Sequence, residues 1–467
     1  MVFSSITFLM YFLPMVMICY FVLPSRCRNG ILCLASLIFY AWGEPKNVVL
    51  MLVSVGIGYC FGIWIEKSKN NGKKKAIGIV GSGIILSFLF YYKYIDFILS
   101  GIRNVTGAEI PMLKVVLPIG ISFYTFQILG YVIDVYRGKV MAQKNLLDFA
   151  AYVMLFPQLI AGPIIRYAEI EKQLKNRECT VEAVYLGLRR FMMGLSKKVL
   201  IADQLGAFLE RFLQMEEKSV VGYWMYAIGF TLQIYFDFSG YSDMAIGLGR
   251  VFGFDFLENF KYPFISSSIT EFWRRWHVSL GFWFRDYVYI PLGGNRVRTL
   301  KWYRNLLIVW GLTGLWHGAS WNFVWWGLLF GIVLILEKKW LLAVLEKMPN
   351  GLRHLYVMAV IVFSFVLFQA ADMAGAWEQI QGMFGGLNVP WLNQETAYYL
   401  RSYAIVFALG TVGCTPFPRN MTEKIRNRSH IGKAVSLAEP AVLSILLLLV
   451  CARLVAGSFQ PFLYFRF

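Results

Sequence analysis

Charge is scarce in this 467-residue sequence: Asp, Glu, Lys and Arg together make up only 15% of it. Soluble domains carry ~25% charged residues, so this chain has too few polar groups to cover a water-facing surface. Histidine is scarcer still, present only as His277, His317, His354 and His430. The seven cysteines (Cys19, Cys27, Cys33, Cys60, Cys179, Cys414, Cys451) are odd in number and contain no CxxC pair. That argues against a disulfide framework and against a zinc site. No low-complexity tract occurs, and no repeat of solenoid period is evident.

Apolar residues, by contrast, make up 58% of the chain, aromatics 17%, and the mean hydropathy is +0.56. Disordered chains show the opposite balance, which excludes that class. The apolar residues fall in long unbroken runs rather than the ~10-residue alternating segments of a transmembrane barrel. A polytopic bundle of membrane helices remains, because a helix satisfies its own backbone in lipid. The net charge of +18 would suggest nucleic acid in a soluble protein, but here the excess of basic residues in cytosolic loops explains it. Much of it lies in three stretches. Lys67, Lys69, Lys73, Lys74 and Lys75 face a lone Glu66 in 66–75. Residues 271–304 hold Arg274, Arg275, Arg285, Arg296, Arg298, Lys301 and Arg304, and 417–433 hold Arg419, Lys424, Arg426, Arg428 and Lys433.

Along the chain, 5–23 reads as a retained membrane helix, since no basic n-region or cleavage site marks a signal peptide. A short run 31–42, spans over 48–65, 76–99 and 115–135, and a further span over 147–165 follow. Residues 181–203, with Arg189, Arg190, Lys197 and Lys198 among apolar neighbours, suit an interfacial or cavity-lining helix. The number of crossings in 166–260 stays open. Runs at 305–316 and 321–336 flank a polar break at His317-Gly318-Ala319-Ser320. Twelve residues of helix cover about 18 Å against ~30 Å of hydrocarbon, which implies a thinned membrane or a re-entrant pair. Spans over 355–371, 400–413 and 437–456 complete about ten to twelve transmembrane and re-entrant helices. Keeping the basic stretches cytosolic puts both termini outside a bacterial cytoplasmic membrane. The whole chain reads as one domain, with N-terminal helices in 1–114, a core in 115–336 and C-terminal helices with an aromatic tail in 337–467.

The scarce polar residues mark where chemistry concentrates. An ionisable group inside an apolar run is a functional candidate, which singles out His317; an interhelical hydrogen bond is the plainer alternative. His277 lies in Trp273-Arg274-Arg275-Trp276-His277, where an interfacial belt is equally consistent. His354 and His430 lie near basic loop ends and read as solvated. Imidazole suits proton transfer near neutral pH, and no nearby acid or thiol cluster suggests a metal. The basic run from Arg274 is either an anion site or a topology signal. Asp237 and Asp243 read as helix-packing groups before relay groups. The tail Pro461-Phe462-Leu463-Tyr464-Phe465-Arg466-Phe467 reads first as an aromatic belt.

Several of these stretches resemble the membrane-bound O-acyltransferase family. Trp316-His317-Gly318-Ala319-Ser320-Trp321-Asn322-Phe323 is similar to its signature, in the branch of alginate and peptidoglycan O-acetyltransferase-like bacterial membrane subunits. The resemblance extends to 118–127, 134–138, 156–164, 237–245, 271–277 and the C-terminal tail, nearly the whole chain. It implies an all-α ring of tilted helices around a thinned centre, with cytosolic and outer funnels. It implies His317 as the catalytic histidine and His277 as the second one.

From that follow the remaining expectations. An acyl thioester, with acetyl-CoA the usual one, is the co-substrate, and no cofactor is bound. Arg274, Arg275, Arg285 or Lys301 would hold its phosphates, and Trp316 and Asn322 are candidate oxyanion donors. The acceptor would be a secreted or surface polysaccharide, reached directly or through an extracytoplasmic partner, with Tyr464 a candidate acyl relay. A D-alanyl transferase for teichoic acid is the alternative within the enzyme class. A transporter for a lipid-linked precursor is the alternative outside it, weakened by the absence of recognisable inverted halves.

Overall fold

The computed structural model describes residues 1–427, 429–457 and 462–463; all regular structure among them is helical. Tyr464 lies outside the described residues, as does the side chain of His430. Four helices are long and apolar enough to cross a membrane: Pro45–Lys67, Asn71–Thr106, Asn350–Gln369 and Gly432–Ala456. They overlap the spans expected over 48–65, 76–99, 355–371 and 437–456. A pair bent by 70°, Gln394–Gly413 and Phe417–Arg426, makes a fifth if it forms one broken span. Exposed apolar side chains such as Leu437 (85%), Leu448 (69%) and Val455 (77%) would be a liability in water and are at home in lipid. The protein is an all-α polytopic membrane protein.

Three segments differ from expectation, each for a local reason. The run 147–165 is not a span: it forms a nine-residue helix, Leu146–Met154, and a four-residue one, Phe156–Leu159, both largely buried. Pro157 at the start of the second helix has no amide to continue the first. The helix expected from 115 begins at Ile121, because Pro118 and the left-handed Gly120 (φ 75°) precede it. A Cβ at Gly120 would lie 2.7 Å from the Leu159 carbonyl oxygen, so a glycine is needed there twice over. The arm expected over 305–316 is the 19-residue helix Thr299–His317, about 28 Å long, and its partner Trp321–Leu336 runs on without a break through the π-helical turn Glu337–Leu341 into Leu342–Leu345, so neither arm is as short as its apolar run.

The chain divides into two compact units. The first comprises Met1–Phe191 and Met244–Leu257. Its core is aromatic, with Phe3, Phe8, Phe39 and Phe156 in mutual ring contact. Gly62 lets Val48–Lys67 close onto Tyr131 of Ile121–Tyr136, where a Cβ would come within 2.5 Å of the phenol oxygen.

The second unit comprises Met192–Asp243 and Glu258–Phe467 and carries both candidate histidines. Thr299–His317 and Trp321–Leu336 cross with their backbones in contact. A Cβ at Gly314 would stand 2.2 Å from the Phe323 carbonyl oxygen, and one at Gly327 2.2 Å from that of Trp310. Small residues that admit such an approach are how membrane helices gain packing energy where lipid supplies no hydrophobic drive. The stretch expected to be interfacial, 181–203, ends in a π-helical turn, Lys197–Ala202, that buries Lys198. A π-turn displaces the following side chains by part of a turn, and such turns recur at functional sites.

Candidate active site

His317 ends the helix Thr299–His317 and is 5% exposed. Gly318 then turns to extended backbone, and Ser320 starts the next helix. The imidazole is caged edge-on by Trp316, Trp326 and Phe368, with ring centroids at 5.0, 5.1 and 5.4 Å. Trp326 comes from Trp321–Leu336 and Phe368 from Asn350–Gln369, so three helices build the cage. Asn322 braces the break: its amide donates to the Ala370 carbonyl at 2.6 Å and its oxygen accepts from the Ser320 hydroxyl.

His277 is 2% exposed and occupies the corner between two seven-residue helices, Ile269–Arg275 and Val278–Phe284. Its φ of 45° is left-handed, an uncommon conformation for a residue with a Cβ. Its ring stands edge-on to Phe238 at 4.7 Å and to Trp316 at 5.8 Å. Trp316 thus touches both imidazoles and brings the two histidines into one aromatic site.

Glu337, fully buried, secures the corner. Its carboxylate accepts from the amides of Ile269 and Thr270 at 2.7 Å each, and from the hydroxyls of Thr270 (2.6 Å) and Tyr356 (3.1 Å). Because Glu337 follows directly on Trp321–Leu336, it ties the helix after His317 to the one before His277. Sequence reading missed it: at the end of an apolar run beside Lys338 and Lys339 it resembles any boundary charge. A carboxylate adjoining 16 apolar helical residues was the available signal.

The expected anion-binding arginines separate into two kinds. Arg275 pairs with Glu271 at 2.8 Å and donates to the Lys261 carbonyl. Burial opposes ionisation of Glu271, yet bonds from Ser267 and Arg275 prevail and hold its carboxyl below the usual range. Arg285 is paired with Asp286 and lies over the Phe282 ring. Arg274 is exposed and makes no ion pair among the described residues. Lys338 is its neighbour, held below the ordinary lysine range by burial and then by the Arg274 charge. Two adjacent cations with no ion pair among the described residues have the charge to attract an anion; Lys338 carried no sequence signal of this.

Asp237 and Asp243 are ion-paired: Asp243 with Lys197 and Asp237 with Lys198, each at 2.7 Å, and Lys198 also bonds Asp203 at 2.7 Å. Asp237 further accepts the Leu463 amide at 2.8 Å. The neighbouring Phe462 ring lies 4.9 Å from Tyr241 and 6.1 Å from Phe238, the ring that touches His277. The tail therefore reaches the histidine site up to the residue before Tyr464. Among the described residues, no group of His, Cys, Asp and Glu is arranged to hold a metal.

Residues 139–375 match the membrane-bound O-acyltransferase family. The chain is 40% identical to a probable alginate O-acetylase of Pseudomonas putida, with both proteins covered in full. It is 33% identical to a peptidoglycan O-acetyltransferase of Helicobacter pylori over all of this chain and 98% of the relative. A teichoic acid D-alanyltransferase of Bacillus subtilis is 29% identical over 54% of this chain and 67% of its own length.

Proposed function

Since the chain belongs to the membrane-bound O-acyltransferase family, and so is an O-acyltransferase of the membrane, we propose that it moves an acetyl group from a cytosolic acyl thioester to a hydroxyl of a secreted or cell-surface polysaccharide. The observation that carries this reading is His317, an imidazole buried in a cage of rings at the break between two crossing helices. Relatives named for alginate and peptidoglycan O-acetylation align along the full chain, whereas the D-alanyl relative aligns along about half of it. That difference favours acetyl over D-alanyl.

In this reading acetyl-CoA is the donor, and Arg274 with Lys338 takes its phosphates, as charge-assisted bonds do best. His317 removes the acceptor hydroxyl's proton as the oxygen attacks the thioester carbonyl. The tetrahedral intermediate carries an oxyanion that needs donors. Trp316, the second Asn322 amide hydrogen and the Trp326 indole N–H, which has no hydrogen-bond partner among the described residues, are the groups nearby. The carbon–sulfur bond then breaks, and the thiolate leaves toward the cytosol with the abstracted proton. His277 orients the acceptor or passes that same proton on to the thiolate.

The product ester forms on an extracytoplasmic partner or on the polymer itself, with Tyr464 as the relay; its neighbour Leu463 is held at the site by Asp237. The cytoplasmic membrane and outward-facing termini belong to the same proposal. Mass analysis of the surface polysaccharide from cells with and without the gene tests it. Loss of O-acetyl groups is expected on deletion, and an unchanged acetyl content would overturn the reading.

A further inference from the structure

The geometry points to Asn259 as the residue that fixes which nitrogen of His277 carries the proton, so that His277 acts as a hydrogen-bond acceptor toward the incoming acceptor, at a hydroxyl other than the attacking one whose single proton His317 takes, and not as an acid toward the leaving thiolate. This rests on the acyl-transfer reading above and settles one role within it.

Asn259 is fully buried, and its carbonyl oxygen is the hub of the His277 corner. The Ser279 amide donates to Oδ1 at 3.2 Å, the Ser279 hydroxyl lies 3.0 Å from it, and His277 Nδ1 lies 3.2 Å from it. The Asn259 main-chain carbonyl also accepts the Val278 amide at 3.1 Å. One residue thus holds three consecutive positions of a turn whose histidine has left-handed backbone.

The orientation of the amide follows from what can donate. A backbone N–H has no acceptor character, so the Asn259 atom facing the Ser279 amide is the oxygen. An oxygen cannot donate, so the short contact with His277 requires a proton on Nδ1. A neutral imidazole carries one ring proton, which leaves Nε2 with a lone pair. That Nε2 is buried and has no hydrogen-bond partner among the described residues. A buried acceptor left open in a folded protein calls for a reason, and a substrate hydroxyl supplies one.

The surroundings keep the ring in this state. The groups recorded against it are Phe238, Asn259 and Trp316, none of them charged. Asp237, next to Phe238 in the chain, is neutralised by Lys198. A protonated His277 would find no carboxylate among these contacts, so the acid role has no support from its partners. Asn259 is a positioning residue: it acts through His277.

The test uses the full-length protein in detergent or nanodiscs. In ¹⁵N-histidine NMR of the wild type at neutral pH, with His277→Gln identifying the resonance, Nδ1 is expected protonated and Nε2 unprotonated; a protonated Nε2 overturns the inference. Asn259→Asp keeps the acceptor oxygens but adds a negative charge that favours imidazolium. The expected result is at least a tenfold loss of kcat at pH 7 with KM changed less than threefold, and recovery as the pH is raised. A wild-type pH profile in Asn259→Asp also overturns the inference. His317→Ala separates the two levels: if it retains full activity, the acyl-transfer reading itself fails, whereas an Asn259 result of the wrong kind leaves that reading standing.

Discussion

The imidazole of His317, the carboxylate of Glu337 and the amide of Asn259 are three buried polar groups with three different visibilities in the sequence. His317 was legible because an ionisable residue between apolar runs is costly and therefore conspicuous. Asn259 and Glu337 were not, because their partners lie 18 and 68 residues away and no spacing rule connects them. Glu337 also yields a prediction of its own. Glu337→Gln removes the negative charge from two amide and two hydroxyl hydrogen bonds and turns one acceptor into a donor. The expected cost is about 2 kcal/mol of stability. A thermal unfolding midpoint in detergent equal to the wild type's would contradict the assignment of Glu337 as the tie between the two histidine arms.

At the scale of elements, the crossing of Thr299–His317 with Trp321–Leu336 places His317 against Trp326. The break was readable from Gly318 and Ser320, but the length of the first arm was not. Lys301 and Arg304, whose basic run suggests a loop, both lie within that helix. A helix in a membrane tolerates long basic side chains near its end, since they extend toward water. Likewise Pro157 outweighed the apolar run around it and ended what looked like a span. The contact itself depends on Gly314, so Gly314→Leu is expected to force the arms apart and abolish acyl transfer while the protein still inserts. The smaller Gly314→Ala, still under 3 Å from a backbone carbonyl, should lose most of the activity as well. Transfer assays on both variants, normalised to membrane-inserted protein, check this. Full activity in Gly314→Leu would show that the crossing does not set the site.

For the whole molecule, composition alone was decisive. A chain with 15% charge and 58% apolar residues leaves its long helices no medium but lipid. The basic stretches then orient it, and the proposal places the Lys-rich stretch 66–75 in the cytosol with both termini outside. Impermeant labelling of single-cysteine variants checks this: positions in 66–75 should react only after cell lysis, and tags at either terminus should react in intact cells. The reverse pattern would reverse the direction of acyl transfer. The tail's hold on Asp237 could not be foreseen, since 226 residues separate the partners. It makes Tyr464→Phe informative: transfer to the polymer should fall at least tenfold while thioester hydrolysis persists, and full polymer acylation would remove Tyr464 from the path.

The central claim is that His317 is the base of a thioester-dependent acyl transfer. Its most direct test is the rate of acetyl transfer from acetyl-CoA by the purified protein in detergent, wild type against His317→Ala, with both shown monodisperse. General-base catalysis is worth about 10²–10⁴-fold, so His317→Ala should lose at least about a hundredfold in kcat at unchanged folding. A well-folded His317→Ala protein transferring at the wild-type rate would contradict the account.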